Sequence, residues 1–179
     1  MDLKYSFMKR IVLLLLVLVP FMAFSQTKKQ MKKANEMTNT WVYDVEMGKM
    51  SPTQGSKVVK IWSVAPSAEA AIKQAPKNAV HAVIFKGVPQ DRYSLGVVAL
   101  DNTSKADIEH ADFFRTFFAE GGKYMQFVTL VNNGKIAAGD LMKIDKKNYK
   151  VGVLVTVRYD ALKKYLESEG VIRGLSSGF

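Results

Sequence analysis

Two histidines, His81 and His110, come first as chemistry-bearing residues, since histidine titrates near neutral pH and is the commonest metal ligand. His81 stands in the apolar run AVHAVIFK of residues 79–86. There a histidine is expected to be a satisfied core or sheet-face side chain rather than a ligand. His110 lies among Asp107, Glu109 and Asp112. With Asp107 three residues before it, the pair is spaced to meet one ion, and a solvated helix face explains the same spacing. No HExxH spacing occurs in the chain.

Other catalytic types fare no better. Ser94, Ser104 and Ser176 stand in loop or cap contexts, where serine needs no catalytic explanation. Asp44 and Glu46 share one strand face at a spacing suited to paired-carboxylate chemistry, which needs roughly 5–9.5 Å. On an outer strand they are simply polar positions of period two. Gly121-Gly122 and the segment 170–174 lack the Lys and Ser/Thr of a phosphate loop. No catalytic residue, metal set or cofactor is expected.

Charge is the remaining chemical signal. Lys and Arg number 26 against 16 Asp and Glu, for a net charge of +10. Lys28, Lys29, Lys32 and Lys33 cluster near the start, and Lys143, Lys146 and Lys147 near a turn. Arg92 and Tyr93 lie in a long connection, 87–106, of a kind that is functional or mobile. These nine residues are the expected contact surface. A basic exported chain meets anionic envelope polymers first, and the same lysines also serve solubility. Nucleic acid is not expected, because the aromatics fall at core spacings and not among the lysines.

An apolar fraction of 48% excludes a disordered chain. The lack of cysteine excludes a disulfide scaffold, a zinc–thiolate site, a thiol nucleophile and a lipidated N-terminal cysteine. Residues 1–25 read as a cleaved secretory signal. Lys4, Lys9 and Arg10 precede the run IVLLLLVLV, and Ala23 and Ser25 are small residues before Gln26. A retained anchor is the alternative. Nine continuous apolar residues are too few to cross roughly 30 Å of hydrocarbon.

The elements that would position any site follow from periodicity. Residues 26–39 read as a flexible basic leader, 40–172 as one domain and 173–179 as a tail. Residues 40–47 and 57–64 alternate with period two and are expected to form a hairpin. Ser67 opens a helix with inward alanines, which Pro76 is expected to bend or to end near Gln74. Residues 79–86 read as a central strand buried on both faces. A helix capped by Thr103 or Ser104 follows over 107–120, with Ile108, Ala111, Phe114, Phe117 and Phe118 on an aromatic face. Strands are expected at 124–131 and 149–159, with a short strand or irregular stretch at 135–144 and an Asn-Asn-Gly turn at 132–134. A closing helix spans 161–169. The sum is an α+β domain: two layers, a mostly antiparallel sheet, and about three helices on one face.

The segments NAVHAVIFKGV, FFAEGGKYMQFV, YKVGVLVTVRYDALKKYLESEGVI and RGLSSGF resemble a group of small exported proteins of Bacteroidetes-type bacteria. That resemblance spans most of residues 57–179, and the cut context AFS/Q agrees with it. The alanine helix and the valine strand running into a closing helix also look like the α+β module of LPP20-like envelope lipoproteins. This chain departs from those by lacking the lipidated cysteine. Neither resemblance brings catalytic residues. The expectation is a non-enzymatic protein of the periplasm or cell surface that binds an envelope protein or anionic polymer. It would have no integral membrane span after cleavage. A hydrolase acting on an envelope polymer is the alternative, as is a self-assembling component that pairs through the strand at 149–159.

Overall fold

Two long strands, β2 (Lys57–Ala65) and β5 (Tyr149–Val157), form the centre of the molecule. They pair antiparallel, so that Val59, Ile61 and Ser63 stand opposite Val155, Val153 and Val151, all six buried. A computed structural model describes residues 41–92 and 94–173. Residues 1–25, expected to be a signal, lie outside the described residues, as do Lys28, Lys29, Lys32, Lys33, Tyr93 and residues 174–179.

Strand β1 (Tyr43–Met47) pairs antiparallel along the outer side of β2, as the alternating residues predict. Two short strands share the far edge of β5. β3 (Val128–Leu130) lies beside Val155–Val157, and β4 (Leu141–Lys143) beside Tyr149–Val151. All pairings are antiparallel, so the α+β architecture is as the sequence predicts. β5 is flanked on both sides, and the self-assembly reading loses the free edge that it required.

Helix α1 (Ala68–His81) begins where Ser67 Oγ accepts from the Ala70 N–H at 3.2 Å. It neither ends at Gln74 nor stops at Pro76. It runs on through a π-helical turn, Ala82–Lys86, whose last bond joins the Gly87 N–H to the Ala82 carbonyl at 2.8 Å. The expected central strand over 79–86 is therefore helix. A short apolar run buried all round has no period that separates strand from helix. Here the alanine spacing continues through Ala75, Ala79 and Ala82, all fully buried. Packing of that stripe on the sheet offsets the roughly 3 kcal/mol of an interior proline.

The helix expected over 107–120 is split in two at His110: α2 (Ala106–Glu109) and α3 (Ala111–Phe117). Ile108 points to solvent at 76% exposure, away from the aromatic face. The cap comes from Asp101, whose buried carboxylate accepts from the Ala106 N–H at 3.1 Å and from Thr103 at 2.6 and 2.9 Å. Burial alone would raise the Asp101 pKa. The bonds from Thr103 and from the Ala106 and Ser104 amides outweigh it and hold the pKa below the usual value. The 87–106 connection is tied down at Val88–Val97 and by bonds from Leu100 and Asp101 to the π turn.

The strand expected at 124–131 opens as a 3-10 turn, Lys123–Phe127, which buries Tyr124 and Phe127 three residues apart. Only Val128–Leu130 is strand. Asn132, Asn133 and Gly134 all take positive φ, as a turn there requires. At Gly134 a Cβ would come within 2.8 Å of Ile72 on α1. Helix α4 (Tyr159–Ser168) starts two residues earlier than expected and buries Leu162 and Leu166. Among the described residues no helix is long and apolar enough to cross a membrane.

Candidate functional site

Because α1 continues to Lys86, Gln74, Lys77, His81 and Phe85 fall at spacings of three, four and four on one helical stripe. That stripe faces Phe114 and Phe118, one turn apart, and a cavity of about 920 Å³ opens between them. Trp41, Phe85, Phe114, Phe118 and Tyr124 supply its aromatic walls. Lys73, Lys77 and Arg115 line it with Asp107 and Glu120, so cations outnumber carboxylates.

His81 is the best-held polar group in the wall. Its Nδ1 lies 2.6 Å from Tyr43 Oη, and the Trp41 ring stacks on the imidazole at 3.6 Å between centroids and 15° between planes. Trp41 takes a positive φ to do so, a conformation that costs bulky residues about 1–3 kcal/mol. Its carbonyl accepts from Lys86 Nζ at 3.2 Å, and the same ammonium lies 3.9 Å from the centre of the Tyr43 ring. Burial, then the charges of Lys86 and Lys77, push the His81 pKa down to about 3. Burial likewise pushes the Tyr43 phenol well above its ordinary value. At neutral pH the imidazole is uncharged. If the phenol is assigned as the donor to Nδ1, the neutral ring carries its hydrogen on Nε2.

Gln74 is the second polar wall residue. It is 5% exposed, and its Nε2 is buried with no hydrogen-bond partner. A buried unpaired amide costs about 1–3 kcal/mol. Burial also lowers the Lys77 pKa, as expected of an ammonium held against the Trp41 ring at 5.4 Å.

This arrangement is suited to holding an acceptor and poor at catalysis. An imidazole titrating near 3 is a weak base at neutral pH. Its hydrogen-bond partner is a phenol pushed further from ionisation, not an activated nucleophile. A hydrolase acting on an envelope polymer needs a pocket where an acid or histidine has a perturbed pKa, and this cavity has such a histidine.

The residues expected from charge lie elsewhere. Lys143 is on β4, and Lys146 and Lys147 are in the following turn, where Asp145 accepts from the Lys147 and Asn148 amides. Arg92 is exposed on the 87–106 connection, and none of these four lines the cavity. Asp44 and Glu46 are answered by Lys150 at 3.1 Å and Lys60 at 3.8 Å, as polar strand positions. Among the described residues no group of three or more acidic, histidine or cysteine side chains is placed to hold a metal. The missed residues are Gln74, Lys77 and Phe85. The helical spacing that joins them to His81 was present in the sequence but was hidden by reading 79–86 as a strand. Comparison with protein-family models, curated proteins and solved structures finds no match to this chain.

Proposed function

We propose that this chain is an exported, non-enzymatic protein of the cell envelope. It binds another envelope component, protein or anionic polymer, and the aromatic cavity beside α1 receives part of that component. The carrying observation is the unpaired Gln74 amide in the wall of a large aromatic cavity. Turned toward the cavity about its last torsion, that amide can donate to a bound acceptor. Lys73 and Arg115 in the lining are answered by Glu69 and Asp112, so it is the net charge of +10 on the whole chain that supports an anionic partner. Export rests on residues 1–25, whose short apolar run and small residues before Gln26 have the form of a cleaved signal.

Native mass spectrometry of the protein isolated from the envelope fraction of its host tests both parts. The expected species begins at Gln26 and carries a bound component that Phe118→Ala releases. A full-length chain found only inside the cell, with no bound species, would overturn the reading.

A further inference from the structure

The cavity wall also says what kind of group it takes. Gln74 Nε2 is a buried donor with no partner, and His81 joins it as a donor when Tyr43 gives its hydrogen to Nδ1. Aromatic rings make up the apolar part of the wall together with Ala119 and Met125. Donors without an acceptor call for a ligand oxygen, and the aromatic surface calls for an apolar body. Of the five charged side chains in the lining, three are cations, of which Lys73 is paired with Glu69 and Arg115 with Asp112 just outside it.

The geometry points to an apolar carboxylate as the occupant. Its acid group would lie among Gln74, Lys77 and His81, and its hydrocarbon or aryl body against Phe85, Phe114 and Phe118. This inference rests on the proposed binding role and gives that role its chemistry. The last torsion of a glutamine is broad, so its amide can turn to an acceptor without repacking α1. His81 stays a neutral donor rather than a second cation, because its pKa is pushed down to about 3. Lys77 then supplies the countercharge. A carboxylate beside it reverses the loss of solvation that lowers its pKa. A charge-assisted bond is about twice as strong as a neutral one. The acid is therefore expected to bind about ten-fold or more tightly than its alcohol.

The test uses tryptophan fluorescence. The chain has two tryptophans, Trp41 in the cavity wall and Trp62 on the opposite face of the sheet. In a Trp62→Phe protein the signal reports the cavity alone. That protein is titrated with phenylacetate and with laurate, each beside its alcohol, phenylethanol or dodecanol. The expected result is saturable change with at least one acid, and its alcohol weaker by about ten-fold. Gln74→Leu and Lys77→Met should each shrink that ratio toward one while the alcohol still binds. The two acids distinguish an aryl from an alkyl body. Equal binding of acid and alcohol would overturn the carboxylate assignment and leave the cavity a binding site. Failure of all four probes, while a component still co-purifies from the envelope, would also overturn the assignment and spare the binding role. Failure of both would overturn the two together.

Discussion

The two faces of the sheet treat polar groups in opposite ways. On the open face, Lys60 Nζ lies 3.0 Å from Asp140 and 3.8 Å from Glu46, and Lys150 lies 3.1 Å from Asp44. Trp62 lies over Gly152, so close that a Cβ there would sit 3.0 Å from its ring. The Lys60 and Lys150 ammonium groups stand 5.4 and 5.7 Å from the same ring. These charges are matched within the protein. On the helix-covered face Asn78 is buried in the apolar core, donating to Ser63 Oγ at 3.3 Å with its own Oδ1 unmatched, and at the end near Trp41 the interior opens into a cavity beside which Gln74 Nε2 is unmatched as well. Matched polar groups are explained by folding alone. An unmatched one beside a cavity is a place where a bound partner can be accepted.

The contrast breaks most visibly through the core. Ile61→Ala on the covered face, where the side chain is fully buried, is expected to cost about 2–5 kcal/mol in urea unfolding. A loss below that range would mean that the helix-covered face is loosely packed. Gly152→Val on the open face drives a side chain into Trp62 and should cost about 1–3 kcal/mol. Its cavity should bind as before, and lost binding there would join the two faces.

Acid sharpens the contrast further. The His81 pKa is lowered on folding from 6.5 to about 3, so the unfolded chain binds the proton more readily. The stability this contributes is full above pH 6.5 and falls as the pH drops toward 3. The slope is at most about 1.4 kcal/mol per pH unit. His81→Phe should lose that slope in thermal melts across the window. An unchanged slope would contradict the burial assigned to the imidazole. The smallest effect belongs to Lys150→Met, whose exposed pair with Asp44 should change stability by less than about 1 kcal/mol.

The sheet was readable because period two and valine content mark strands directly, as at 57–64 and 149–157. The site was less so. Apart from His81, Ala79–Ile84 is apolar all round because α1 and its π turn are buried between sheet and aromatic cluster. That gives the same letters as a central strand. Phe114 and Phe118 were placed on one aromatic face, and they do line the cavity. Their neighbours on α1 could not be found until residues 79–86 became helix. Asp101 caps α2 from five residues before Ala106, across a loop whose path local sequence does not set.

The central claim is that Gln74 is kept polar for a ligand at the expense of stability. Urea unfolding of Gln74→Leu, beside carboxylate titration of the same variant, tests it most directly. The account predicts a free protein more stable by about 1 kcal/mol, because an unpaired buried amide is removed, with the preference for acid over alcohol lost. A variant less stable by that amount, with the preference intact, would contradict it.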